Sequence, residues 1–304
     1  MRKTFALAAA AAGLTAAFAM TALAADPPVT PFPSPQVGDV FIAAQTATTD
    51  GAMSNYFKPG STVIFRAYAV DGKTHKVLLA KDMKYFYVTI PGAPNVKLKY
   101  DPKAPGATPR MAWTGAWSVP AGYQTGIVGF KILAKADSKR RGQFVQFPVA
   151  SAQLTISSSP PPTYGPGPNG STAAPAATLD VALYVDTVNG TRPAAAAPRP
   201  VGCTQTNVYK RGEQLVVRAW GVDMATGDVL TSENVDTASA TLAGLPALTL
   251  NWGAHGATGG KVWFWTNAWQ IPKDYALGDA TMSVVFKTDT GKTGSFDYPI
   301  TIIP

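Results

Sequence analysis

One cysteine and two histidines are all that this chain of 304 residues offers for thiol or imidazole chemistry. A disulfide within the chain is excluded, and so is any zinc site built on two thiolates. Charged side chains are scarce, at 14% against roughly 25% for an average soluble protein. Past the N-terminal segment, no run approaches the ~18 apolar residues of a membrane span. Glycine (28) and proline (26) are plentiful instead, which favours many turns over long helices. Aromatic residues at 10% supply bulk for a core.

Residues 1–24 read as a signal peptide: Arg2 and Lys3, an apolar stretch from Phe5 to Ala19, then Ala22-Leu23-Ala24 with small residues where a peptidase needs them. The expected mature protein is exported, periplasmic or secreted, and lacks a transmembrane segment after cleavage. A Pro-rich lead-in covers 25–34. Residues 157–178, SSSPPPTYGPGPNGSTAAPAAT, read as a Pro/Gly/Ser-rich linker.

On either side of that linker the chain repeats itself. Lys58-Pro59-Gly60 meets Lys210-Arg211-Gly212, and Arg66-Ala67-Tyr68 meets Arg218-Ala219-Trp220. Asp71 meets Asp223, and the block Trp113 to Trp117 meets Trp265 to Trp269. Pro120, Tyr123 and Gly126 meet Pro272, Tyr275 and Gly278, every pair 152 positions apart. The expectation is two tandem domains from an internal duplication, 35–156 and 179–304, the second with an extra loop between Val188 and Cys203. Strand-like stretches recur in each: Thr62–Val70, Tyr85–Ile90, Lys97–Tyr100, Met111–Ser118, Ile127–Lys135 and Phe144–Ile156. No helical period competes with them. The fold class is all-β, a pair of sandwiches.

Trp117-Ser118-Val119-Pro120 with Tyr123 and Gly126, and Trp269 with Pro272, Tyr275 and Gly278, resemble the E–F corner of bacterial immunoglobulin-like β-sandwich domains. The resemblance implies a tyrosine packed at the sheet corner with its hydroxyl on nearby backbone. It implies no activity, because such sandwiches host many functions.

The shared residues read as scaffold: Arg66, Asp71, Trp113, Trp117 and Tyr123, with Arg218, Asp223, Trp265, Trp269 and Tyr275. Asp71 and Asp223 end a strand before turn residues, where an aspartate bonds its own backbone two residues on. Arg66 and Tyr68 share a strand face, as do Arg218 and Trp220. The outer sheet surface is the expected place for them, with the arginine over aromatic rings. Phe65, Ala67 and Ala69 take the core side.

Candidate chemistry lies where the copies differ. Five of the seven tryptophans fall in the second copy, and Trp252 and Trp263 flank a Gly-rich loop with His255. Flat rings beside a loop point to a carbohydrate or small ligand; a hairpin with a solvated histidine is the plainer reading. His75 and His255 stand 180 apart, out of phase with the repeat, and neither neighbours a nucleophile motif. No enzyme, cofactor or metal is expected. Cys203 has no His or Met close by for copper, so an intermolecular disulfide is its sharper reading.

Charge is lopsided. Residues 35–157 carry 15 basic and 6 acidic side chains, whereas 179–304 carry 9 and 11. Lys81, Lys84, Lys97, Lys99, Lys103 and Arg110 crowd the first copy, and Lys139-Arg140-Arg141 adds a basic turn. Such a field captures anionic partners. The expected function is a non-catalytic binding or assembly module, meeting an envelope protein or an anionic glycan or surface through its first domain, with no nucleic acid. The alternatives are the tryptophan-lined ligand site and an accessory subunit of an exported enzyme or redox complex.

Overall fold

The computed structural model describes residues 40–108, 110–136, 140–145, 153–161, 163–170, 178–191, 204–255 and 262–304. The expected leader and lead-in, Lys139, the Pro/Ala-rich stretch 192–200, Cys203 and the loop 256–261 lie outside the described residues.

The fold is all-β. Eleven strands precede residue 157: β1 Val40–Ala47, β2 Tyr56–Phe57, β3 Thr62–Asp71, β4 Met83–Thr89, β5 Val96–Lys97, β6 Lys99–Tyr100, β7 Trp113–Ser118, β8 Gly126–Ile127, β9 Lys131–Ala136, β10 Arg141–Val145 and β11 Thr155–Ile156. Nine follow residue 180: β12 Val181–Asn189, β13 Val208–Lys210, β14 Gln214–Asp223, β15 Val235–Leu242, β16 Leu248–Thr249, β17 Asn251–His255, β18 Val262–Gln270, β19 Gly278–Thr288 and β20 Thr293–Ile303. The opening strands β1 and β12 lack a polar alternation, which hides them in the sequence. Both faces of each are buried throughout the strand apart from the last residue of β12.

The two halves use the same layers. Sheet β1-β3-β7-β6 matches β12-β14-β18-β17 in order, and β10-β9-β4-β5 with the small sheet β2-β11-β8 matches β13-β20-β19-β15-β16. The first half breaks its second sheet between β8 and β9, where the second half runs β19 without interruption. Registers agree as well: Gln45 opposes Arg66 as Asp186 opposes Arg218, and Val63 opposes Trp117 as Leu215 opposes Trp269. Both halves are immunoglobulin-like sandwiches.

Repeated side chains fix repeated corners. The indole N–H of Trp113 donates to Leu78 O at 3.0 Å, and that of Trp265 to Leu230 O at 2.8 Å. Tyr123 donates its hydroxyl proton to Pro91 O at 2.7 Å, and Tyr275 to Ala243 O at 2.5 Å. Asp71 Oδ1 accepts from the backbone of Lys73 and Thr74 at 2.8 and 2.9 Å, and Asp223 Oδ1 from Ala225 N at 2.8 Å. Each aspartate also holds a cation, Arg140 on Asp71 and Lys292 on Asp223. Burial opposes ionisation of the Asp223 carboxyl, but Lys292 and the backbone donors outweigh it and hold the carboxyl below its ordinary range. His75 occupies a left-handed position, φ 57°, at the place in the turn that Gly227 fills at φ 82° in the second half.

The sandwiches pack on one another. Phe65, Ala67 and Ala69 enter the first core, whereas Phe41, Met53, Tyr68, Val70 and Met111 join the core of the second half. Strand β3 is therefore buried on both faces. The segment 163–170 is held from both sides: Gly167 N donates to Asp50 O at 3.0 Å, and Asn169 donates to Asp279 Oδ2 at 3.2 Å. This part of the Pro/Gly/Ser-rich stretch therefore touches both sandwiches as a strap.

Candidate functional site

Arg66 is not on an outer surface. It is 2% exposed, and its guanidinium donates to the carbonyls of Gly51 and Gly106. Burial lowers its pKa to about 10. Tyr68 beside it is wholly buried and donates to Leu183 O of the second sandwich. The reading from strand parity fails here because a second body covers the face that a lone sandwich would leave to water. Arg218 is buried too, but there Asp186 meets it through Nε at 2.7 Å and Nη2 at 2.6 Å. It stands 5.9 Å from the Phe264 ring centre, so the expected arginine–aromatic contact exists on a buried face.

Trp252 and Trp263 lie side by side, but His255 does not join them. Trp252 opposes Trp265 across β17 and β18, and it packs on the core with its ring 5.7 Å from Trp265 and 6.0 Å from Trp263. His255 points to the opposite face of the hairpin, stacked on Phe264 at 4.3 Å. Burial, then Arg218, lowers its pKa. Trp252 thus ties the hairpin to the core with Trp263 beside it, and the imidazole lies on the other face with Phe264 and Arg218.

The six cations of the first copy scatter. Arg110 belongs to the contact between sandwiches: it donates to Ser295 O and lies over Phe296 at 5.6 Å. Lys81 follows a cleft of about 500 Å³ lined by Asp71, Asp82 and Arg140. Lys103 stands on the loop after β6, where its N–H donates to Asp101 at 3.0 Å. Lys99 opposes Thr114 on the outer side of the first sheet. Lys97 and Lys99 border a second cleft, of about 600 Å³, beside β7.

Lys97 and Lys84 instead join residues that charge counting passes over. In the sheet β10-β9-β4-β5, Phe86, Val88, Ile132 and Ala134 point into the core. The alternate positions therefore face out. One row across the strands is Arg141, Lys135 and Tyr85; the next is Gln143, Leu133, Tyr87 and Lys97; the third carries Lys131 and Thr89. Tyr85 and Tyr87 lie side by side along β4 with ring centres 5.3 Å apart. Lys84 sits at the irregularity where the pairing of β4 with β9 shifts. Among the described residues no carboxylate lies within ion-pair distance of Lys84, Lys97, Lys131 or Lys135. The signal was present in the sequence as parity: Tyr85, Tyr87, Lys131 and Lys135 are the solvent-side residues of two stretches recognised as strands.

The second sandwich shows what this face looks like without that decoration. Thr237 and Ser239 stand for Tyr85 and Tyr87, Ser283 for Lys131, Thr249 for Lys97 and Thr293 for Arg141. Lys287 replaces Lys135, but Asp236, at the matching irregularity, neutralises it at 2.9 Å. The first sandwich puts Lys84 where that acid stands.

No family model and no curated protein sequence matches the chain. Among solved structures it is similar to the fibronectin(III)-like modules of Clostridium thermocellum CbhA, at 12% identity and a TM-score of 0.23, over 86% of this chain and 93% of that one. It is also similar to the Bacteroides ovatus mixed-linkage glucan utilization locus protein SGBP-B in complex with a mixed-linkage heptasaccharide, at 11% identity and a TM-score of 0.18, over 82% of this chain and 44% of that one. Both likenesses concern the fold, and the ligand of the second stays with that protein.

Proposed function

We propose that this protein is an exported, non-catalytic binding module whose first sandwich meets an anionic partner through the outer face of sheet β10-β9-β4-β5. The observation that carries the reading is the exchange of Asp236 for Lys84. One scaffold position neutralises its neighbouring lysine in the second half and adds a further cation in the first. Exposed ion pairs contribute only ~0–1 kcal/mol, so the fold does not require either choice. Lys84, Lys97, Lys131 and Lys135, which have no ion-pair partner among the described residues, raise the local concentration of anions and speed their capture. Among the described residues no helix is long and apolar enough to cross a membrane, and no group of three or more His, Cys, Asp or Glu is placed to hold a metal ion.

The test compares retention of the full chain on carboxylated, aminated and neutral surfaces. Binding to the carboxylated surface is expected, falling as salt rises. A triple variant, Lys97→Glu, Lys131→Glu and Lys135→Glu, should lose it, whereas Lys287→Glu in the second sandwich should not. Equal retention of both variants rejects the reading.

A further inference from the structure

We infer that the ligand of this face is an acidic polysaccharide lying along β4. The inference rests on the anionic-partner reading and narrows it. Tyr85 and Tyr87 form a strip along the strand, 5.3 Å between ring centres. Lys131, Lys135 and Arg141 flank it on the side of β9 and β10, and Lys97 flanks it on the side of β5. Adjacent strands stand about 4.8 Å apart, so both rails of charge lie within side-chain reach of the strip. A seven-residue strand such as β4 offers a track of roughly 20 Å. Phenol rings present an apolar body and a polar tip, which suits the mixed faces of a sugar. Ammonium groups on either side suit carboxylates or sulfates carried at intervals along a chain.

Other anions fit less well. Protein interfaces are depleted of lysine at their centres and enriched in buried apolar anchors. Here the centre carries two tyrosines and the half-buried Leu133, and among the described residues the large exposed hydrophobics, Ile127, Leu277 and Val285, lie off this face. A bilayer would lack an apolar wedge for the same reason. Single-stranded nucleic acid prefers open ring faces for stacking, and Tyr85 and Tyr87 are half-buried and tilted 44° against each other.

The experiment titrates the full chain with polygalacturonate, heparin, neutral dextran, polyglutamate and poly(dT) by calorimetry at low and physiological salt. The key variant carries Tyr85→Thr and Tyr87→Ser, the residues that the second sandwich holds at these positions, so the strand is expected to form. Polygalacturonate and heparin should bind and dextran should not. The tyrosine variant should bind them about tenfold more weakly with an unchanged salt dependence. Lys131→Glu with Lys135→Glu should abolish binding. If the tyrosine variant binds polygalacturonate like the parent while polyglutamate or poly(dT) binds equally well, the glycan assignment falls and the anionic-partner reading stands. If no anionic probe binds, both fall.

Discussion

Asn55 and Asn207 stand 152 positions apart, and each accepts a backbone hydrogen bond from the opposite sandwich. Asn207 Oδ1 takes the N–H of Met53 at 2.7 Å, and Asn55 Oδ1 takes that of Gln205 at 3.2 Å. Met53 and Gln205 are themselves 152 apart, so the exchange is reciprocal. Both asparagines are at most 2% exposed. Around them Gln45 Nε2 donates to Val185 O at 2.5 Å, and the hydroxyl of Tyr298 to Met53 Sδ at 2.9 Å.

Removing either asparagine's side chain leaves a buried N–H without an acceptor. Asn55→Ala and Asn207→Ala should each cost ~1–3 kcal/mol. The two sandwiches should unfold in one transition in the parent, because Phe41, Met53, Tyr68, Val70 and Met111 of the first half are built into the core of the second. Urea denaturation followed by fluorescence checks both points. A parent that melts in two separated steps, or alanine variants as stable as the parent, would show that the exchange couples nothing.

Alkaline pH tests the same contact. Tyr68, Tyr184, Tyr209 and Tyr298 are wholly buried, and burial raises each phenol above its ordinary value of 10.0. A phenol with a raised folded pKa binds its proton in the folded state where the unfolded chain has lost it. Its stabilising share is complete below pH 10 and is lost as pH rises further. Arg66 acts oppositely, since burial lowers its folded value to about 10, below the ordinary guanidinium range, and so favours folding as pH climbs past 10. Four phenols outweigh one guanidinium, so stability should fall above pH 10. Tyr298→Phe should flatten that fall. Thermal midpoints across pH 8–12, with phenolate absorbance as the second readout, measure it. A flat profile would contradict the burial of these rings.

Much of the scaffold was legible because a constant offset of 152 reports equivalent places. Trp113 and Trp265 repeat one hydrogen bond to a carbonyl, and Tyr123 and Tyr275 repeat another. Strand parity then misplaced Arg66 and Tyr68, because alternation identifies the inner face of one sandwich and is silent about a second body on the outer face. The warning lay in β3 itself: TVIFRAYAV is nearly continuous in apolar residues, the pattern of a strand covered on both sides. The basic face was missed for a different reason. Counting lysines along the chain groups Lys81 to Arg110, whereas the sheet brings Lys97 beside Tyr87, and Tyr85 beside Lys135, the latter two 50 residues apart in sequence.

The unequal arginines give a third expectation. Asp186 accepts from Arg218, from the hydroxyl of Tyr184 at 2.9 Å and from Gln205 Nε2 at 2.7 Å. Asp186→Ala leaves a buried guanidinium without its counter-ion and should cost ~3–5 kcal/mol. Gln45 holds the matching place opposite Arg66, and Gln45→Ala removes one neutral hydrogen bond, about 1 kcal/mol. Denaturant midpoints of the two variants should differ accordingly. Equal losses would mean that the Asp186 pair is not the anchor its geometry describes.

The last expectation separates place from charge. Lys97 and Lys103 are both exposed lysines of the first sandwich, close in sequence and equal in formal charge. Lys97 stands opposite Tyr87 on the face proposed to bind. Lys103 stands on the loop after β6, where its carbonyl lies against the backbone of Gly170 in the strap between the sandwiches. Lys97→Glu and Lys103→Glu should both leave the melting temperature nearly unchanged, since exposed charges contribute ~0–1 kcal/mol. Long-range attraction is screened over about 8 Å at physiological salt, so under those conditions only a charge next to the ligand is felt. Lys97→Glu should therefore weaken retention on a carboxylated surface at physiological salt, and Lys103→Glu should weaken it only at low salt. Were both reversals to act alike at physiological salt, the net charge of the sandwich would be the recognised feature and the tyrosine-lined face would not.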